Sequence, residues 1–336
     1  MCFTMPPDAI IRTTAYHRRD FCLSIIWYPS WEHVNIISSI AKPFPRTPSV
    51  GIGTLDCLPL ELLLDTLCRL DIHSLLRFRQ MNLRSRQTVD SLSQYQKIAS
   101  HGLNLICALF RTRRAADIPL LDFYDTLCTK PCAFCGEFAG FISLLTWKRC
   151  CFACLQKAPE TQVRTLASMR KQLHLTKPEL AQLVSFKSLP GIYTMNETII
   201  KSRTTIVSLH EVMVASKRQS PTQPQASQVI IVDRNQKFNF MRSCALPYYD
   251  KATGNVERGI SCAGCQLAIE KKIFTTGTTT LQFDARDKVY TQDGFLDHFR
   301  WYEQAQVLWK SSAEGTKKPT ELPLFALMEG HFKSRE

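Results

Sequence analysis

Three Cys-x-x-Cys pairs constrain this chain more than any other feature: Cys132/Cys135, Cys151/Cys154 and Cys262/Cys265. With 14 cysteines among 336 residues, random placement gives about 0.6 such pairs, so three need a cause. The first two pairs are separated by 15 residues, a spacing that suits a four-thiolate zinc site. One tight turn carrying two thiolates spans an edge of a tetrahedron, and a second such turn spans the opposite edge. Gly136, directly after Cys135, suits a turn whose backbone amides approach sulfur. The pattern predicts structural zinc on Cys132, Cys135, Cys151 and Cys154, with Cys150 as a neighbouring substitute and Cys128 as a more distant one. The competing reading is a group of buried, reduced thiols packing as small apolar side chains. A thioredoxin-like redox role is disfavoured, because two matched pairs are better explained by one metal.

The third pair needs two more ligands. Cys244 lies upstream and His298 lies downstream on a predicted helix, so Cys244, Cys262, Cys265 and His298 form a second candidate set of three cysteines and one histidine. Tyr302 stands four residues after His298 on the same helical face, where tyrosine is not a usual ligand for structural zinc. Neither set looks catalytic: a catalytic zinc keeps one position open beside a general base, whereas a closed set contributes folding free energy.

Reading cysteines as metal ligands presumes a reducing compartment. Residues 1–20 mix Pro6, Pro7 and Asp8 with Arg12, His17, Arg18 and Arg19, unlike a secretory signal. The apolar patch from Phe21 to Tyr28 is too short to span a bilayer. The expectation is an intracellular protein, cytoplasmic or nuclear, with no membrane partner. A mitochondrial presequence is the alternative, given Arg12, Arg18 and Arg19 against Asp8 alone.

Composition places the chain among globular proteins, with 45% hydrophobic and 21% charged residues. Its length suggests about two folded units. The net charge of +13 admits a zinc-stabilised nucleic-acid-binding protein as a second function class. Yet the basic groups, such as Arg111 to Arg114, Lys148/Arg149, Arg164 to Lys171 and Lys217/Arg218, are scattered and read better as solvated surface. There is no Gly-rich phosphate loop, no G-x-S-x-G elbow and no H-E-x-x-H pair, and no enzyme is expected.

Along the chain, residues 1–54 read as a poorly ordered leader ending in a Pro-rich linker. Residues 55–100 carry three short helices: one after Pro59, one capped by Asp71, and one starting at Asn82 with Val89, Leu92 and Tyr95 on one side. Residues 101–214 form a helical region holding the first zinc module, with a capping box at Thr176/Glu179. Short strands are expected within 191–214 and 229–242 around a mobile polar loop, 215–228. Residues 229–310 hold the second cysteine module and close on a helix over 293–310 capped by Asp293; 311–336 is a tail. The fold class is α+β, mainly α, with a mixed helical and short-strand region stapled by one or two zinc sites.

Residues 57–97 resemble an F-box, the helical module by which substrate receptors join Skp–cullin–F-box ubiquitin ligases. Leu58-Pro59-x-Glu61-Leu62-Leu63 matches its opening, Leu67 and Leu70 its next apolar positions, Leu75, Leu76, Phe78 and Arg79 its second helix, and Arg84, Val89, Leu92 and Tyr95 its third. The wider arrangement, with cysteine pairs and a closing helix from Gly294 to Trp309, resembles a family of fungal F-box proteins. In that family a cysteine often follows the helix histidine by four, where this chain has Tyr302. The resemblance implies an adaptor for ubiquitin-dependent degradation. It would bind a Skp-family subunit of a cullin ligase through Leu58, Pro59, Leu62, Leu63, Leu67, Leu75 and Leu76, and a substrate protein through the zinc-stapled region.

Overall fold

The computed structural model describes residues 6–40, 42, 46–173, 176–217, 237–273 and 279–332, and it builds the N-terminal segment into the core. Helix α1 (Pro7–Thr14) leads into strand β1 (Ala15–Tyr16), helix α2 (Arg19–Leu23) and helix α3 (Ser30–Ile40). Phe21, Ile25 and Ile26 are buried with the main core, and Ile10 with a second one. For residues 6–40 this corrects the reading of a poorly ordered leader. Its charges look solvated in sequence but are paired inside. Arg18 grips Asp20 at 2.8 Å and Asp287 at 2.9 Å, and its guanidinium lies 3.7 Å from the centre of the Phe21 ring. Breaking such a buried pair costs about 3–5 kcal/mol, so the segment is anchored by polar as well as apolar contacts.

The next region contains four α-helices where three are expected: α4 (Leu60–Arg69), α5 (Ile72–Arg79), α6 (Leu83–Asp90) and α7 (Ser93–His101). Asp71 and Asn82 cap α5 and α6 by accepting the N–H groups of Ser74 and Ser85, each at 2.8 Å. The expected third helix breaks at Leu92, whose φ of −68° and ψ of 116° leave the helical region. Local side chains take over the exposed main chain there: Gln96 donates to the Asp90 carbonyl at 2.7 Å, and Ser91 Oγ to that of Thr88 at 2.8 Å. The N-terminal segment packs on this unit. Arg79, paired with Asp90, also donates to the Ser39 carbonyl at the end of α3, and the Tyr95 hydroxyl donates to that of Ile40.

Helices α8 (Leu103–Thr112) and α9 (Leu120–Leu127) extend the core toward the first cysteine module, made of β2 (Phe141–Ser143), β3 (Arg149–Cys150) and α10 (Phe152–Lys157). Then come β4 (Val163–Thr165), α11 (Leu166–Leu173), α12 (Lys177–Gln182), β5 (Ser185–Lys187), β6 (Gly191–Tyr193), β7 (Thr198–Ile200), β8 (Thr205–Ser208) and α13 (Leu209–Lys217). The capping box is present at α12. Residues 209–217 are helical where strand was expected, and so is α14 (Lys237–Met241). Residues 218–236, which include most of the expected mobile loop, lie outside the described residues.

Strand β9 (Ser243–Ala245) pairs with β2, which pairs with β3, all antiparallel. The small hairpin β10 (Tyr248–Tyr249) and β11 (Val256–Glu257) leads to β12 (Ser261–Cys262), which pairs with β1 at the other end of the chain. Helices α15 (Ala263–Glu270), α16 (Thr279–Asp287), α17 (Gln292–Trp301) and α18 (Glu303–Ser311) follow, and the short α19 (Leu324–Leu327) lies in the expected tail. The single helix expected over 293–310 is two. Thr291, not Asp293, supplies the cap by accepting the Gly294 N–H at 2.9 Å, and the break falls at Tyr302. Among the described residues no helix is long and apolar enough to cross a membrane.

Candidate metal centres and partner surface

The first centre forms as its spacing predicts. The Sγ atoms of Cys132, Cys135, Cys151 and Cys154 all lie within 4.8 Å of one another. Gly136 takes a φ of +79°, a conformation glycine adopts without strain, and its N–H donates to the Cys132 carbonyl at 3.0 Å, closing the first turn. The Ala133 N–H donates to the Arg149 carbonyl and fastens that turn to β3. On the second turn, Cys151 caps α10 and its sulfur accepts the Cys154 N–H at 3.4 Å. Cys135 and Cys151 sulfurs are 3.6 Å apart. A hydrogen bond from the Cys151 thiol, helped by the Phe134 N–H, pulls the Cys132 thiol far below its usual range, while Cys151 moves upward.

The surroundings fit a negatively charged centre. Arg149 and Arg242 are 3% and 1% exposed, and neither pairs with a carboxylate among the described residues. Arg149 donates to the carbonyls of Thr126, Ala139, Leu246 and Pro247. Arg242 leaves Nε and Nη2 without a hydrogen-bond partner. Burial pulls both guanidinium groups down to about 10. Both interact favourably with Cys150, the buried thiol next to Cys151 of the quartet, and a zinc ion on four thiolates would carry net charge about −2. Sequence reading took Lys148/Arg149 for solvated surface. Only the two-strand register, which sends Arg149 inward beside Cys150, shows otherwise.

Cys150 and Cys128 are not members of the quartet. Cys150 is fully buried opposite Phe141, and burial pushes its thiol up to about 12. Cys128 ends α9 half-buried.

The second centre differs from expectation by one residue. Cys262, Cys265 and His298 come together within 4.8 Å. Cys262 caps α15 and accepts the Cys265 N–H at 3.4 Å, and His298 Nε2 lies 3.4 Å from Cys265 Sγ. Cys244 is elsewhere. It sits on β9 in the main core, accepting from Asn104 Nδ2 at 3.0 Å and donating to the Ile26 carbonyl at 3.4 Å. Burial holds its proton on. The reason is topological: β9 is tied to β2 and to Ile26, whereas Cys262 is tied to β1.

The third region of interest is the apolar surface of α4. Leu58 and Leu62 are 40% and 57% exposed, and Leu55, Leu60 and Pro59 are exposed with them. Leu63, Leu67, Leu75 and Leu76 are buried. Of the seven residues expected to meet a Skp-family partner, these four are core residues that hold the helices together, and three remain on the surface.

No curated protein and no solved structure matches the chain. The family comparison gives one match, the F-box domain, over residues 55–97. That span covers the 3₁₀ turn ending at Cys57, the exposed leucines and helices α4 to α6. The chain carries an F-box domain, and this supports a Skp-binding adaptor role in a cullin-based ubiquitin ligase.

Proposed function

We propose that the protein recruits a substrate to an SCF-type ubiquitin ligase, with the F-box docked on a Skp-family subunit and the cysteine-bearing region presenting the substrate. The F-box match over residues 55–97 carries this reading. The exposed strip of Leu55, Leu58, Leu60 and Leu62 supports it, since apolar side chains clustered at one helix start favour a partner. Such an adaptor does no covalent chemistry. It raises the effective concentration of substrate beside the ubiquitin-charged enzyme. Structural zinc on Cys132, Cys135, Cys151 and Cys154 would hold the recruiting region in shape.

The test is capture of a Skp-family subunit by the full chain. The double substitution Leu58→Asp, Leu62→Asp is expected to weaken capture by at least about tenfold with circular dichroism unchanged, because both side chains are on the surface. Unchanged capture would overturn the reading. Leu63→Asp is no substitute, because it places a charge in the core.

A further inference from the structure

His298 is positioned as a metal ligand is positioned, but its set stops at three. Its ring is stacked between Tyr290 and Tyr302, with centroids 4.9 Å and 4.8 Å away, which fixes the direction of Nε2 toward Cys265. Cys262 and Cys265 are at most 2% exposed, whereas His298 and Tyr302 are half-buried. The open side of the triangle therefore faces the break between α17 and α18. Among the described residues no fourth cysteine, histidine or carboxylate joins the three. Tyr302 borders the gap, its ring stacked 4.8 Å from that of His298. The fourth corner thus has no cysteine, histidine or carboxylate committed to it among the described residues.

We propose that Cys262, Cys265 and His298 hold one zinc ion whose fourth position belongs to an exchangeable water, replaceable by a small thiol. Two thiolates and a neutral imidazole cancel the charge of zinc. A neutral centre suits its apolar surroundings of Ile260, Phe295 and Phe299. In the exchange, the incoming thiol binds as thiolate, its proton passes to solvent and the water leaves. Zinc stays divalent, and no oxidant is required.

The inference rests on the reading of the paired cysteines as zinc ligands. It is independent of the F-box, so Skp capture is measured in parallel. The full chain, purified with a phosphine reductant and loaded with cobalt(II) in place of zinc, is titrated with 2-mercaptoethanol and followed by visible absorption. Two cobalt ions per chain are expected. The component with two sulfurs and one nitrogen should shift with thiol, and the four-sulfur component should not. Tyr302→Phe should keep both ions and the thiol response. Tyr302→Cys should abolish the response and slow metal loss to a chelator by at least about tenfold. One cobalt per chain, no thiol response in the unaltered protein, or loss of the second ion in Tyr302→Phe would each overturn the proposal. The last would make the phenol itself the ligand. No cobalt at all would remove the zinc reading of both centres while leaving Skp capture to decide the adaptor role.

Discussion

Cys151 and Cys262 do the same local work in their two modules. Cys151 directly follows a two-residue strand and Cys262 ends one; each caps the helix that follows and accepts the N–H of the cysteine three residues on, at 3.4 Å in both cases. What faces each turn differs. The first meets a second cysteine turn, Cys132 to Gly136, pinned to the same small sheet through Ala133 and Arg149. The second meets one imidazole on α17 and a strand from the N-terminus. The first quartet is partly exposed, with two buried arginines around the adjacent Cys150, while the second pair is buried among apolar rings. A Cys-x-x-Cys turn thus specifies half of a site. The element packed opposite decides whether the site closes, and whether its charge is offset by neighbours or neutralised among its own ligands.

The largest test of this contrast removes one ligand from each module. Structural zinc contributes about 10–16 kcal/mol of apparent binding free energy in small zinc-dependent folds. Cys154→Ser is therefore expected to cost one zinc and to strip hydrogen-exchange protection from residues 130–157. Cys265→Ser should cost its own zinc and loosen residues 260–311, leaving 130–157 protected. If either substitution loosens both regions alike, the two centres are one cooperative unit.

Next in size is Arg242→Met, where the sign is the readout. Without a negative centre nearby, replacing an unpaired buried cation by an apolar side chain stabilises the protein. Beside a zinc on four thiolates, the same change removes a counter-charge and destabilises by about 3 kcal/mol. Denaturant unfolding of the metal-loaded chain separates the two. Stabilisation would show that the arginine answers to something other than the quartet.

The smallest effects come from the glycines of the two turns. A Cβ on Gly264 would lie 2.4 Å from the Ala305 main-chain nitrogen, so Gly264→Ala must move α18 and should cost about 1–3 kcal/mol. A Cβ on Gly136 meets nothing within 4 Å, and Gly136→Ala carries only the strain of its positive φ, about 1 kcal/mol. The reverse ranking, read from unfolding midpoints, would mean that the second turn is less tightly enclosed than its packing implies.

These cases also mark how far the sequence was legible. The first quartet was readable because all its ligands lie within 23 residues and two of its elements pair directly. The caps at Asp71 and Asn82 were readable because capping is a contact over three residues. The role of Cys244 was not, because its position follows from β9 pairing with β2 and bridging to Ile26. Helix breaks at Leu92 and Tyr302 were missed because apolar spacing continues through both, while the main chain does not. The F-box leucines were legible as a motif, but spacing alone does not divide the exposed Leu58 and Leu62 from the inward Leu63 and Leu67.

The pairing of β1 with β12 joins Ala15 to Cys262, and Arg19 donates to the Glu329 carbonyl, so the start of the chain is held by its end. On the ribosome, the F-box helices emerge while residues 6–28 still wait for strands more than two hundred residues away. Until β9 emerges, Phe21, Ile25 and Ile26 lack one of the elements that cover them. Closure of this kind is slow and exposes the nascent chain to misassociation. Fragments that begin at the F-box would lack β1 and leave β12 of the second module without its partner strand.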